Sequence, residues 1–67
     1  MYKLGDRIKE ARQDKGLTQA QLAKVLHTAQ NTISNWEKGT NAPDVEMLRQ
    51  IIIVLDCDPS YILGIGD

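Results

Sequence analysis

A short polar segment, residues 30–38, carries side chains that could bind another molecule through paired hydrogen bonds. An Asn or Gln amide holds a donor beside an acceptor, so it can bond N6 and N7 of an adenine edge at once. On a helix, Asn35 lies one turn after Asn31, and Ser34 lies one turn after Gln30, so these side chains share a face. A solvated helix surface has the same composition, so the segment alone leaves both interpretations open.

Five short helices with tight connections are predicted to position this segment. Apolar residues at helical spacing predict the helices, and capping residues and glycines predict their ends. The length of 67 residues allows one domain, so the fold class is a compact all-α domain spanning residues 1–67. The predicted helices run from Leu4 to Lys15, from the cap Thr18 to about Leu26, from Gln30 to Lys38, from Val45 to Leu55, and from Pro59 to Gly64.

The predicted third helix is composed mostly of residues with low helix propensity. Only Ile33 and Trp36 are apolar, and they would point into the body of the domain. Short polar side chains disfavour a helix because they compete for backbone hydrogen bonds. A helix that keeps them therefore has a use for them.

Charge and cysteine content limit the function classes. The net charge is -1, yet residues 1–38 hold seven basic and four acidic residues, whereas residues 39–67 hold one basic and five acidic residues. One half could face phosphate, although an ordinary mixed surface fits the same numbers.

Cys57 is the only cysteine, which excludes an internal disulfide, and a buried structural role fits it better than redox sensing. No signal peptide and no membrane span is expected, since the longest apolar run is Ile51–Leu55.

The stretch from Leu17 to Gly39 reads LTQAQLAKVLHTAQNTISNWEKG. It resembles the helix-turn-helix of the phage repressor and Cro superfamily, also called the xenobiotic-response-element family of bacterial regulators. The ending DPSYILG at residues 58–64 is similar to that family's ending, so the resemblance covers nearly the whole chain. The matching residues are Leu17, Thr18, Gln19, Leu22, Ala23, Leu26, Thr32, Ile33, Ser34, Trp36, Glu37, Gly39 and Pro43.

The resemblance implies a lambda-repressor-like fold and a cytoplasmic, bacterial or phage-encoded regulator that binds double-stranded DNA. We expect a repressor that binds a palindromic operator as a homodimer, with the third helix in the major groove. Base contacts are then expected from Gln30, Asn31, Thr32, Ser34 and Asn35. Contacts to the DNA backbone are expected from Thr18, Gln19, Lys38, Thr40 and Asn41, although Lys38 could equally be an exposed lysine at a helix end.

The resemblance also implies an ion pair between Arg12 and Glu37. Such a pair would fix the angle of the third helix, and it could also aim Arg12 at a phosphate.

Two residues depart from the family pattern in the turn before the third helix. His27 replaces a glycine that often has positive φ, which histidine tolerates poorly. Ala29 replaces a serine that caps the third helix, and the loss of a cap costs about 0.5–2 kcal/mol. Either Thr28 caps the helix instead or the helix begins a residue earlier.

The run Ile51–Leu55 is apolar on all sides of a helix, which predicts burial beyond what a small monomer provides. The predicted dimer interface consists of Ile52, Ile53, Tyr61, Ile62 and Ile65. The alternative is that the isoleucines only fill the core.

Two other function classes compete with DNA binding. An enzyme is not expected, because the chain has one histidine and neither a nucleophile–base pair nor a glycine-rich phosphate loop. For the same reason no cofactor, metal or small-molecule ligand is expected. A protein-interaction module on the same fold, such as an antitoxin or an anti-repressor, stays open because the chain is slightly acidic.

Overall fold

The computed structural model describes residues 1–66, which form five α-helices and no strand. The predicted all-α, five-helix fold is therefore confirmed. Helix α1 packs against α3, α4 and α5, and α3 packs against α2. The helices are α1 (Leu4–Asp14), α2 (Gln19–Val25), α3 (Gln30–Lys38), α4 (Val45–Leu55) and α5 (Pro59–Leu63).

Local side-chain caps begin three of the helices where the sequence predicts them. Thr18 forms a capping box with Gln21 at the start of α2, with hydrogen bonds of 3.1 and 2.8 Å. Asp44 accepts a 2.8 Å bond from the Met47 N–H, and Asp58 accepts a 2.9 Å bond from the Ser60 N–H. These bonds satisfy N–H groups that have no partner inside a helix.

The turn between α2 and α3 has the strain that the sequence predicts, but neither of the predicted compensations. His27 takes the left-handed conformation with φ of 57°. Ala29 is the N-cap of α3, no side chain caps it, and the helix begins at Gln30. Thr28 therefore does not replace the missing cap, and α3 does not start early. The start of α3 depends instead on the packing of Ile33 and on a backbone bond of 2.9 Å from Thr28 N–H to the Ala23 carbonyl.

The core takes one fully buried aliphatic side chain from each helix. Their relative exposure is 0%, and Ala11, Ala23, Leu26, Trp36 and Leu55 pack around them. A core this small leaves each of these contacts a large share of the stability. The five fully buried side chains are Ile8, Leu22, Ile33, Ile51 and Ile62.

Gly5 allows α1 to approach the end of α3 closely. A Cβ atom at this position would lie 2.3 Å from the Trp36 carbonyl oxygen and 2.8 Å from the Glu37 carbonyl oxygen. Neither carbonyl can move far, because both belong to the last turn of a helix. The absence of a side chain at Gly5 therefore sets how α3 sits on α1.

Candidate nucleic-acid interface

Helix α3 has a buried side and an outward side, and the residues predicted to read bases lie outside the buried side. Ile33 and Trp36 are buried in the core. The predicted base-reading residues keep accessible surface: Gln30 and Asn31 are exposed, and Thr32, Ser34 and Asn35 are half-buried. The structure thus brings these residues together along one helix, with amide and hydroxyl groups free to meet a partner.

The end of α3 holds the following loop in a fixed conformation. Gly39 has a φ of 84°, which lets the chain turn back over the helix end. The N–H groups of Thr40 and Asn41 bond the Asn35 carbonyl at 3.0 and 3.3 Å. The side chains of Lys38, Thr40 and Asn41 are all exposed beside the outward face of α3.

Arg12 and Glu37 form an ion pair that is almost completely buried. Arg12 Nε donates to Glu37 Oε2 at 2.7 Å, and Nη2 donates to Oε1 at 3.1 Å. Their side chains are 9% and 4% exposed. Arg12 Nη1 also donates to the Leu17 carbonyl at 2.7 Å, so the guanidinium faces the interior rather than a phosphate at the surface. The pair therefore joins α1, the connection between α1 and α2, and the last turn of α3.

Glu37 has a second partner that sequence reasoning misses. Gln19 Nε2 donates a 3.0 Å hydrogen bond to Glu37 Oε1. This contact holds the Gln19 side chain at the start of α2 and leaves one amide proton and the amide oxygen for another partner. Thr18 beside it uses its hydroxyl oxygen for the capping box, so its hydroxyl proton stays available.

The fold and this site have a counterpart in known proteins. A family model described as helix-turn-helix matches residues 8–62. The chain belongs to this helix-turn-helix family. The match spans the segment from Leu17 to Gly39, so the resemblance to phage repressors is confirmed at the level of the family.

Relatives of this helix-turn-helix domain are named as transcriptional regulators. The HTH-type transcriptional regulator ImmR of Bacillus subtilis is 38% identical over 61 residues, which is 91% of this chain and 48% of ImmR. The HTH-type transcriptional regulator DicA of Escherichia coli is 37% identical, over 90% of this chain and 44% of DicA. The chain spans less than half the length of these two relatives.

A solved structure matches the whole domain. The P22 c2 repressor, crystallised in complex with a synthetic operator, superposes with a TM-score of 0.87. The match covers 100% of both chains at 33% sequence identity. The repressor protein C2 of Salmonella phage P22 is longer, since its alignment covers 90% of this chain and 28% of that protein.

The residues predicted for the dimer interface differ in their accessibility in this helix-turn-helix domain. Ile62 is fully buried in the core, so that prediction is wrong: the side chain has no surface to offer a second chain. The Arg7 guanidinium carbon lies over the Tyr61 ring, 4.4 Å from the ring centroid, on the side of α5 that faces α1. Ile52 and Ile53 line a groove together with Pro59 and Leu63 of α5, and Ile65 is exposed beyond α5.

Ile52 and Ile53 belong to a shallow apolar groove of about 440 Å³ between α4 and α5. Val45 is 86% exposed and Ile53 is 62% exposed, although both are apolar. We name this surface the α4–α5 patch. It consists of Val45, Leu48, Arg49, Ile52, Ile53, Pro59 and Leu63.

Arg7 joins the two ends of the chain, which no spacing in the sequence indicates. It donates to the Tyr61 carbonyl at 2.7 Å, and its guanidinium also lies 5.3 Å from the Tyr2 ring centroid. The Tyr2 hydroxyl donates to the Ile62 carbonyl. One basic residue of the N-terminal half thus stabilises the fold.

None of the helices within residues 1–66 is long and apolar enough to cross a membrane.

Proposed function

We propose that this domain binds double-stranded DNA in a sequence-specific manner, with α3 in the major groove, and that it represses transcription. The observation that carries the proposal is the outward face of α3. It presents amides and hydroxyls at accessible positions, while a buried ion pair fixes the last turn of the same helix. A rigid helix with such groups meets the donors and acceptors of base edges in the major groove.

Within this proposal, base edges are read by Gln30, Asn31, Thr32, Ser34 and Asn35. The DNA backbone is bound on both sides of α3. On one side lie the Thr18 hydroxyl and the remaining Gln19 amide proton, and on the other lie Lys38, Thr40 and Asn41. The contact between Gln19 and Glu37 supports this division, because it holds a backbone-binding residue in register with the reading helix.

A homodimer on a palindromic operator is the assembly that we propose for this domain. The support is the α4–α5 patch, where a second copy would cover Val45 and Ile53. A two-fold dimer would put two α3 helices about 34 Å apart, one turn of DNA. Because its ligand would be bacterial or phage DNA, we expect the protein to act in the cytoplasm.

Selection of duplexes from a random pool tests the function. Enrichment of a palindromic sequence is expected. On the selected duplex, Gln30→Ala and Asn31→Ala should each cost about 1–3 kcal/mol of binding free energy and relax the preference at one base position. Lys38→Gln should weaken binding to all duplexes alike. Gln50→Ala, an exposed glutamine on α4, is the matched control and should leave binding unchanged.

A protein partner is the alternative, and the net charge of -1 favours it. DNA binding requires a linear fall of log affinity with log salt, since each phosphate contact releases counterions. A protein that enriches no sequence and shows no such fall with any duplex would overturn the DNA proposal and leave the protein-interaction module.

A further inference from the structure

Helix α5 has only five residues, Pro59–Leu63, and Asp58 caps its start. A helix of this length is unstable in water by itself, so contacts from the rest of the fold must hold it in place. The last four carbonyl groups of a helix have no partner inside it, and in α5 these are nearly all of its carbonyls. The end of α5 therefore depends on donors beyond the helix itself.

Two residues from the start of the sequence bond the carbonyls at the end of α5. The Tyr2 hydroxyl donates to the Ile62 carbonyl, and Arg7 Nη1 donates to the Tyr61 carbonyl at 2.7 Å. The Arg7 guanidinium also lies 5.3 Å from the Tyr2 ring centroid and 4.4 Å from the Tyr61 ring centroid. A cation and an aromatic face attract each other at such distances. Tyr2 and Arg7 thus hold α5 onto α1.

The Tyr2 ring also lies directly against Gly64, the residue that follows α5. Gly64 has a φ of 69°, and a Cβ atom at this position would lie 2.3 Å from Cδ1 of the ring. Only glycine leaves room for the ring here. We name residues 1–3, which carry Tyr2 to the end of α5, the N-terminal strap. Tyr2, Arg7 and Gly64 all lie outside residues 8–62, so the family pattern does not include these contacts.

Helix α5 also forms one wall of the α4–α5 patch. Pro59 and Leu63 belong to this wall, and the residues that face them come from α4. Leu63 is 44% exposed and comes directly after Ile62, whose carbonyl the strap bonds. The position of the wall therefore depends on how the strap holds α5.

We propose that Tyr2 is a positioning residue for the homodimer, because the N-terminal strap keeps α5 where the α4–α5 patch fits a second copy. The proposal rests on the proposed function, in which this patch joins two copies of the domain. Tyr2 acts through α5 and contacts neither the DNA nor the second copy. Each of the two copies needs α5 in place, so a loosened strap weakens the dimer twice over.

Two variants release the strap in different ways. Tyr2→Ala removes its contacts, and Gly64→Ala puts a Cβ atom where the Tyr2 ring lies. A lost hydrogen bond shifts a population about 5-fold, and two copies multiply this to at most about 25-fold. Sedimentation equilibrium should show the dissociation constant of the dimer rising about 10-fold in each variant. If Tyr2→Ala does not fold, Tyr2→Phe removes the hydroxyl alone and carries the same test.

Each variant has a matched control that should keep the wild-type dissociation constant. Lys3→Ala removes an exposed side chain of the strap that makes no side-chain cap to α1. Gly16→Ala adds a methyl group at a φ of 79°, and apart from its chain neighbours this group meets nothing within 4 Å. It therefore carries the same backbone strain as Gly64→Ala without a clash.

Hydrogen exchange separates positioning from a general loss of stability. The N–H groups of Gly64 and Ile65 bond carbonyls of α5, and the Thr40 N–H bonds the end of α3. In Tyr2→Ala the amides of Gly64 and Ile65 should exchange faster, while Thr40 keeps its wild-type rate. A fall in global stability alone would speed the exchange of all three amides and would contradict the positioning role.

A duplex with a single half-site separates the patch from the reading helix. One copy is enough to bind it, so Tyr2→Ala should bind it with wild-type affinity and bind the full palindrome more weakly. A loss of affinity for the single half-site would mean that Tyr2 acts on α3, which overturns the proposal.

The remaining outcomes distinguish this role from the proposed function. A wild-type protein that stays monomeric, both at high concentration and on the palindromic duplex, overturns the homodimer and the role of Tyr2 with it. A wild-type protein that dimerises, while either Tyr2→Ala or Gly64→Ala dimerises equally well, overturns the role of the strap alone.

Discussion

Glu37 accepts two hydrogen bonds from the Arg12 guanidinium, at 2.7 and 3.1 Å, between side chains that are 4% and 9% exposed. The same carboxylate accepts the Gln19 amide at 3.0 Å. Both carboxylate oxygens of Glu37 therefore accept hydrogen bonds, and this one side chain links α3 to α1 and α2. Taking two charges out of water is costly, so the geometry must be retained for the pair to stabilise the fold.

Glu37→Ala should lower the free energy of unfolding by about 3–5 kcal/mol, because it leaves the Arg12 charge buried without a partner. DNA affinity should fall too, although no base contact is removed, because α3 loses its fixed angle and Gln19 loses its acceptor. Urea unfolding and duplex binding measure the two effects. Unchanged binding by a folded Glu37→Ala protein would contradict this role.

The double variant Arg12→Met with Glu37→Leu separates stability from positioning. Apolar replacements of similar volume often restore the stability of a lost buried pair. We expect a free energy of unfolding near that of the wild type but a reduced DNA affinity, since no acceptor remains for Gln19. Full recovery of both properties would show that Gln19 needs no positioning by Glu37.

Ala29→Ser should stabilise the domain by supplying the cap that α3 lacks. A serine hydroxyl at the N-cap accepts a hydrogen bond from an unpaired N–H of the first turn, and a cap contributes about 0.5–2 kcal/mol. The free energy of unfolding from urea titration should rise by this amount. Ala20→Ser inside α2 is the control and should give no gain.

His27→Gly should also stabilise the domain, because the residue has a φ of 57°. The left-handed conformation costs a non-glycine residue about 1–2 kcal/mol, and the greater freedom of glycine in the unfolded chain returns about 0.4–1 kcal/mol of that gain. We expect a net rise in the free energy of unfolding of between about 0 and 1.6 kcal/mol. Lys24→Gly, within helix α2, should instead lose about 1 kcal/mol. A loss at His27 would mean that its side chain has a contact of its own.

Features encoded over a few residues could be predicted from the sequence, and features that join distant residues mostly could not. The capping box of Thr18 and Gln21 is local, whereas the positive φ of His27 is expected from the glycine that the family pattern has at this position. Arg12 and Glu37 are 25 positions apart, so their pairing follows from the family resemblance and not from spacing. The hydrogen bond between Gln19 and Glu37 has no sequence signal, because a glutamine at a helix start could bond many different partners.

The isoleucines show why composition alone misplaces a surface. Ile53 and Ile62 are equally apolar, yet one is 62% exposed and the other is fully buried. Helix α5 has only five residues, too few for periodicity to define its inward face. The burial of Ile62 depends on how α5 packs on α1 and on Arg7, which bonds the Tyr61 carbonyl.

Cys57 should react slowly with iodoacetamide at neutral pH. Burial raises the pKa of its thiol, and the neighbouring carboxylates of Asp56 and Asp58 raise it further. The folded chain therefore holds the thiol proton to a higher pH than the unfolded chain does, and only the thiolate is nucleophilic. The alkylation rate against pH should rise at a higher pH in the native protein than in urea. Coincident profiles would contradict this prediction.

Ile53→Lys should convert a dimer into a monomer without unfolding it. The side chain is 62% exposed in the single chain, so a lysine can extend into water, whereas in a dimer its charge would be buried in the α4–α5 patch. Sedimentation equilibrium should show the wild type associating and the variant remaining monomeric, with weaker binding to a palindromic duplex. Gln50→Lys adds the same charge to α4 outside the patch and should leave association unchanged. A variant that still dimerises would move the interface away from α4 and α5.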